Sequence, residues 1–407
     1  MRLELSTDER ARRALLLTFV RALHTHGAPA HRLEREAGAV ARALGIEARF
    51  FSTPTMVMVS FGADEVDASA HVLRVEPGDV DLGRLAELDA LGADIRADGP
   101  RDVAALQARA DALSLARPAG RHGSALVSAA VASASAAALM GGGPVELAVA
   151  GGIGLLVGVL GLATLRSESL ARLYLPLAGT LAAALAGAVA SHVPVALTLV
   201  TVAGVITLLP GLTLTVAMTE LATGHLASGS ARTFAALTSL LQLGFGSLLG
   251  ATIATRLGAP VAHGTAELAV LPATAAVLLG GLAFARLLQA RKRELPLVVG
   301  AALLAFGAAR FGEAVAGGVP GVFLASTVVG VAGNASARLL RRPASLVLIP
   351  GILMLVPGSL GFRSLAELLA GDVLAGVARA LSVGMIAIAL ASGQIVAHAV
   401  VPPRREL

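Results

Sequence analysis

The sequence predicts an all-α polytopic membrane protein: ten transmembrane helices as two inverted five-helix repeats, preceded by a small cytoplasmic α+β domain. Three observations predict it. Of 407 residues, 56% are hydrophobic and 14% charged, against about 25% charged in an average soluble domain, and the mean hydropathy is +0.78. From residue 124 onward, long apolar stretches alternate with short charged punctuation. Within that part, two segments 147 residues apart share proline, glycine, glutamate and arginine in one register.

The formal charge of +5 hides a split. Residues 1–116 carry 14 Arg and 18 acidic residues, net −4, whereas residues 117–407 carry 18 Lys+Arg and 9 acidic residues, net +9. The basic excess thus belongs to membrane flanks and not to a nucleic-acid-binding face, and no nucleic-acid partner is expected. Cysteine is absent, which excludes a disulfide scaffold, a thiolate metal site and a Cys nucleophile. Without Trp and with a single Tyr, the aromatic belt is missing and Arg anchors the interfaces to lipid. The 46 Gly predict close helix packing through small residues.

The first domain is expected over residues 1–120. It holds no long uncharged run, so no signal peptide is expected. Residues 8–25 and 29–44 show apolar residues at helical spacing, with Pro29 opening the second helix. FSTPTMVMVSFG reads as one strand bounded by Pro54 and Gly62, and AHVLRVEPG as a strand ending in a turn. Residues 81–97 and 100–116 return to helical spacing. His24 and His26, two apart on a helix, point in different directions and cannot share a metal; they are expected as solvated helix-end residues. Asp79, Asp81, Glu87 and Asp89 are expected on a solvated face. No Gly-rich phosphate loop precedes a helix, so neither catalysis nor a cofactor is expected here.

The membrane part divides at residues 121–262 and 263–407. About 20 apolar residues span the hydrocarbon core, and ten spans emerge near 124–141, 145–165, 173–191, 195–217, 232–255, 265–286, 295–312, 319–337, 344–361 and 379–400. LPGLTLTVAMTELATGHLASGSAR at 209–232 aligns with VPGSLGFRSLAELLAGDVLAGVAR at 356–379, pairing Pro210 with Pro357, Gly211 with Gly358, Glu220 with Glu367 and Arg232 with Arg379. The same offset carries the first five spans onto the second five. Five is odd, so the second copy is inverted. With both termini inside, 14 Lys and Arg fall on the cytoplasmic side and 4 (Arg256, Arg310, Arg363, Arg379) on the other, a positive-inside bias. Inverted repeats are a recurring construction of secondary transporters, because similar halves give inward- and outward-facing states of similar energy. No Walker motif is present, so an ion gradient is the expected driving force.

The residues resemble a known family. HTHGAPAHRLEREAGAVARALGIEARFFSTPTMVMVSFG followed by LRVEPGDVDLGRLAELDAL is similar to the start of the threonine/serine exporters. LLPGLTLTVAMTELATGHLASG matches that family's Pro-Gly segment, and LVPGSLGFRSLAELLAGD resembles the partner half of fused members. The resemblance implies export of threonine and serine driven by membrane potential or protons. Relatives split into two polypeptides look like succinate exporters, so a dicarboxylate is the alternative solute. A membrane scaffold or sensor is the alternative from another class, and a homo-oligomer is open.

Pro210-Gly211 and Pro357-Gly358 interrupt apolar spans, and in a bilayer the freed backbone groups must face protein or a wet cavity. Broken helices offer an N-terminal end to a carboxylate and open carbonyls to an ammonium group. Glu220 and Glu367 lie ten residues further on and are candidates for proton coupling or for pairing with the ammonium; the plainer role is an interfacial acid paired with Arg232 or Arg379. Thr213, Thr215 and Thr219 could hydrogen-bond a hydroxyl amino acid, although threonines more often bond back to their own helix. Pro350-Gly351, which has no counterpart in the first half, reads as a local bend. Asn334, Gln242 and Gln394 lie within spans; Glu146, Glu267 and Glu313 are expected at span ends; Gly154/Gly158 and Gly246/Gly250 read as packing seams. No metal ligand set appears.

Overall fold

The computed structural model describes residues 6–62, 69–76, 78–98, 102–115, 122–258, 272–356, 358–369 and 371–402. The Ser6 hydroxyl accepts the Glu9 N–H and opens α1 (Thr7–Thr25), satisfying one of the donors that a helix start leaves without an intrahelical partner. Leu15, Leu16, Phe19, Val20 and Leu23 form its buried face, at the spacing of an amphipathic helix. α2 (Ala30–Ala43), α3 (Leu82–Asp98) and α4 (Val103–Ser114) complete the helices of the N-terminal region. Asp81 and Asp102 cap the last two through the Arg84 and Ala105 N–H groups.

Between α2 and α3 lies an antiparallel sheet in the order β1 (Ala48–Thr53), β2 (Met56–Phe61), β3 (Ser69–Arg74). The strand expected between Pro54 and Gly62 is β2, and the structure adds β1 ahead of Pro54, which the sequence reading did not expect. Thr53 pairs with Met56 across Pro54-Thr55, and Ala48 with Phe61. Proline has no N–H to give to a ladder, so the chain turns there. β2 buries Val57, Val59 and Phe61 in alternation.

Two further expectations for this region are corrected. His24 and His26 are 4% and 7% exposed, not solvated. Each Nε2 lies 2.8 Å from a backbone carbonyl, Thr53 for His24 and Leu113 for His26, and that pairing makes their burial tolerable. Of the four acids expected in solvent, Asp79 is exposed, but Asp81 and Asp89 are buried. Asp81 is a helix cap, and Glu87 pairs with Arg84 and with Arg291 of the apolar part.

The apolar part consists of α5 (His122–Leu139), α6 (Pro144–Thr164), the short α7 (Glu168–Arg172), α8 (Tyr174–Ala190), α9 (Leu197–Gly204), α10 (Gly211–Ala222), α11 (Leu226–Arg256), α12 (Ala273–Leu287), α13 (Leu295–Ala316), α14 (Gly318–Leu340), α15 (Ser345–Leu355), α16 (Gly358–Leu369) and α17 (Val373–Val400). Six helical stretches among the described residues are long and apolar enough to cross a bilayer: Pro144–Thr164, Leu226–Arg256, Lys292–Ala316, Gly318–Leu340, Ser345–Leu369 and Val373–Val400. The pair Leu197–Gly204 and Ile206–Ala222, bent by 52°, is long and apolar enough only when its two pieces are taken together, as a broken span or a re-entrant loop. Gly123–Leu139, Tyr174–Ala190 and Ala273–Leu287 are apolar but shorter; the first turns expected for the sixth span fall at 265–271, outside the described residues. α11 exposes Phe234, Leu237, Leu241 and Phe245, a row that fits hydrocarbon and not water.

Helix boundaries and packing recur at the offset read from the sequence. α10 and α16 are each 12 residues long and start 147 residues apart, as do α11 and α17. α8 lies along α11 as α14 lies along α17, and α10 packs on α11 as α16 packs on α17. Across the two sets α5 meets α12, α10 meets α17 and α11 meets α16. The glycine seams are tight: a Cβ on Gly246 or Gly250 would lie 2.1 or 2.2 Å from the carbonyl oxygens of Pro176 and Thr180, and one on Gly154 would lie 2.3 Å from the Ser133 hydroxyl.

Glu146, expected at an interface, is instead 5% exposed and accepts the N–H groups of Gly143 (3.0 Å) and Ala196 (3.3 Å). A helix start in apolar surroundings must find its acceptor within the protein. Glu313 is exposed; Glu267 lies outside the described residues. Pro350 sits inside α15 with its neighbours buried.

The N-terminal region shares a core with the helices it rests on. Leu15, Phe19, Leu88 and Leu91 belong to one buried cluster with Ala285, Ala290, Val298, Leu346 and Ile349. The Leu82 N–H donates to the Leu288 carbonyl at 2.9 Å.

Candidate functional site

The break between α9 and α10 is built locally. The helix tightens to a 3-10 turn at Ile206–Leu208, and Leu209 leaves helical geometry at φ −68°, ψ 126°, as a residue before proline prefers. Pro210 then caps α10, which starts at Gly211. In the second set, Val356 is extended at φ −68°, ψ 135° after α15, and α16 starts at Gly358. Pro357, singled out with Pro210, lies outside the described residues.

The two breaks touch. A Cβ on Gly211 would lie 1.9 Å from Val356 Cγ1 and 3.3 Å from Gly358 Cα; one on Gly358 would lie 3.3 Å from Leu209 Cβ and 3.5 Å from Gly211 Cα. Only a residue without a side chain fits at Gly211. Beside this contact is a cavity of about 170 Å³ between α5, α12 and the two breaks. Gly211, Leu212, Gly358 and Ser359 line it from the breaks, Ser135 from α5 and Phe284 from α12. Two helix starts therefore face one small space, each with N–H groups that lack intrahelical acceptors and with the positive end of a helix dipole. The side chains that line it carry no charge among the described residues.

Glu220 and Glu367 are not in this cavity. Each lies at the far end of its helix, paired with an arginine. Arg232 Nε lies 3.1–3.2 Å from the Glu220 carboxylate, and Arg379 Nε lies 2.9 Å from both Glu367 oxygens. Their surroundings differ. Glu220 is 0% exposed: its Oε2 accepts the Ser228 hydroxyl at 2.8 Å and its Oε1 accepts the Ala30 N–H of α2 at 2.9 Å. Glu367 has a side chain 28% exposed.

The Ala30 contact follows from α2 itself. Pro29 supplies no side-chain cap, and the first-turn donors of a helix need an acceptor. A carboxylate from another segment provides it, and the positive helix end favours that charge. Around it, His225 Nε2 lies 3.4 Å from Glu34 Oε2, and the His31 and His225 rings meet edge to face at 6.2 Å. Burial holds the His31 imidazole well below its usual range, reinforced by Arg32, Arg35, His225 and His398. Burial also lowers His24 and raises the Glu34 carboxyl, the latter against the pull of the Ser52 N–H and His225.

Of the threonines, Thr215 is buried and donates to the Gly211 carbonyl at 3.2 Å, and Thr219 donates to Thr215 at 3.0 Å. Thr213 is half-buried. None of the three is among the cavity's lining residues. Sequence reasoning missed Ser135 and Ser359. Ser359 had a usable signal, two residues past Pro357, whereas Ser135 is one serine in an Ala/Ser-rich helix.

Broken apolar helices that meet beside a small, half-open cavity mark a multi-pass membrane protein. The chain belongs to the threonine/serine exporter family. Residues 14–254 match the family described as "Putative threonine/serine exporter", and residues 273–400 match "Threonine/Serine exporter, ThrE". Among curated relatives, an uncharacterized protein of Schizosaccharomyces pombe is 41% identical over 75 residues, which is 18% of this chain and 10% of that one. The pheromone-regulated membrane protein 10 of Pichia sorbitophila is 24% identical over 383 residues, 90% of this chain and 38% of that protein. The chain thus spans well under half the length of both. No solved structure matches.

Proposed function

We propose that the chain exports threonine or serine from the cytoplasm across the cell membrane, as a secondary transporter driven by the proton gradient or membrane potential. Ten spans form two inverted five-helix repeats at 121–262 and 263–407, behind a cytoplasmic domain at 1–120. In this reading α5, α8 and α12 cross as short helices, since about 17 residues reach roughly 26 Å. The recurrence of bounds and packing at 147 residues supports the duplication. Contacts of the N-terminal region with Glu220, Leu288, Arg291, Leu346 and Ile349 support the orientation, because these residues lie at helix ends that the arginine bias puts inside.

The observation that carries the solute reading is the junction of Gly211 and Gly358 beside a cavity of about 170 Å³. This is below the roughly 300–1,000 Å³ of drug-sized pockets and suits a small amino acid. The helix starts receive the carboxylate, the break carbonyls the ammonium, and Ser135 or Ser359 the hydroxyl. A dicarboxylate such as succinate is the second reading, favoured by two helix starts facing one space. Counterflow in proteoliposomes preloaded with threonine, serine or succinate, with and without a pH gradient, tests both. Exchange of threonine or serine supports the first; succinate alone supports the second; flux of none by folded protein leaves a scaffold or sensor.

A further inference from the structure

A second cavity, about 300 Å³, lies between α8, α9, α11 and α16, lined among others by Gly187, Thr198, Ser247, Phe362 and Ala366. The 147-residue correspondence sends Gly187 to Asn334, Thr198 to Ser345, Ser247 to Gln394, Phe362 to Thr215 and Ala366 to Thr219. The image site is packed shut. Asn334, Ser345, Gln394 and Thr215 are 0%, 1%, 4% and 1% exposed, and a Cβ on Gly330 would lie 2.4 Å from Ala397 Cβ.

The closed site is more polar than the open one, and its polarity is only half used. Asn334 Nδ2 donates to the Ala397 carbonyl at 3.3 Å, and Gln394 Nε2 to the Ser326 carbonyl at 3.0 Å. Asn334 Oδ1, Gln394 Oε1 and Ser345 Oγ, all buried, have no hydrogen-bond partner. Each such atom has lost its bonds to water without replacement, which destabilises the packed state, and a packed apolar residue would avoid the cost. Three of them on three helices, at equivalents of positions that line an open cavity, point to a state in which they are engaged. Two are amide oxygens, acceptors that suit an ammonium or a hydroxyl group. The site lies beneath the N-terminal region: Leu346 and Ile349, next to Ser345 in the chain and one turn on, belong to the shared core.

We propose that Asn334, Ser345 and Gln394 form the cytoplasmic loading site of the transporter, opened when α14, α15 and α17 take the arrangement that α8, α9 and α11 have here. The proposal rests on the export reading for its solute. The two amide oxygens would accept from the ammonium and the side-chain hydroxyl, and Ser345 would bond the carboxylate.

The absence of cysteine in the chain permits a direct test on the full-length protein. Ser345→Cys and Thr198→Cys are each reconstituted, checked as monodisperse, and treated with a membrane-impermeant maleimide from either side during threonine counterflow. Thr198→Cys should label from the outer face. Ser345→Cys should label from the face bearing the N-terminal region, and saturating threonine should slow it. Asn334→Ala and Gln394→Ala should each raise the half-saturating threonine concentration about tenfold on that face alone, the loss of one bond to a charged group. Intact counterflow with Ser345→Cys unlabelled from both faces overturns the site and spares the export reading. Labelling protected by succinate, without threonine flux, upholds the site and overturns the solute. Equal effects of the alanine variants on both faces overturn the loading role.

Discussion

The first helical N–H of α2, at Ala30, is capped by the carboxylate of Glu220, 190 residues further along the chain and 2.9 Å away. The residue that starts a helix in the N-terminal region is thus completed by the end of a broken membrane helix. Its counterpart Glu367 keeps the arginine partner but is partly open to its surroundings.

Removing one member of a buried ion pair costs about 3–5 kcal/mol, and an exposed pair contributes about 1 kcal/mol or less. Glu220→Ala should therefore lower the thermal midpoint of the detergent-solubilised protein far more than Glu367→Ala. It should also speed hydrogen exchange of the α2 first turn. Equal shifts for the two variants would contradict the cap.

Gly211→Ala places a methyl group 1.9 Å from Val356. Overpacking of this kind costs about 1–3 kcal/mol and should push the breaks apart, reducing counterflow at least several-fold. Gly358→Ala, with its nearest neighbour at 3.3 Å, should be milder. The reverse order would show that the breaks do not meet as described.

Acidification should loosen the N-terminal region. His31 and His24 are held below the usual imidazole value of 6.5 by burial, so the docked state prefers them neutral. Their contribution is fully present above about pH 6.5 and is lost as pH falls below it, because the undocked state binds the protons. Glu34, raised by burial, works in the opposite sense as pH falls toward its own range. Hydrogen exchange of residues 29–34, corrected for intrinsic rates, should rise between pH 7.5 and 5.5. His31→Gln should flatten that rise, and an unchanged profile in this variant would remove His31 from the account.

If the central cavity holds the solute, Ser135→Ala and Ser359→Ala should each weaken threonine half-saturation by about five- to tenfold, one hydrogen bond's worth. A threonine-to-alanine comparison in the same liposomes should lose its preference in whichever variant contacted the hydroxyl. No change in either would move the site elsewhere.

The parts legible in the sequence were those set by periodicity and by repetition. Apolar run lengths located the helices of the membrane part, and the Pro-Gly register located both helix starts, since Gly211 and Gly358 open α10 and α16. β1 was hidden because its sequence, ARFFST, shows no sustained alternation of apolar and polar residues. The roles of Glu220, His24 and His26 were hidden because each is defined by an acceptor or donor far away in sequence: Ala30, Thr53 and Leu113. A helix-end glutamate looks the same in sequence whether it meets water or another helix.

The shared core has a consequence for how the chain is made. Residues of α1 and α3 leave the ribosome before the apolar part, yet the cluster that buries them is closed by Val298, Leu346 and Ile349, which are synthesised much later. Domains that can fold alone do so as they emerge; this one has an uncapped α2 and an open apolar face until the later helices are in place. A chain stopped after residue 258 would present that face to the translation and quality-control machinery as an unfinished surface, so completion of the second half becomes the checkpoint for maturation of the first hundred residues.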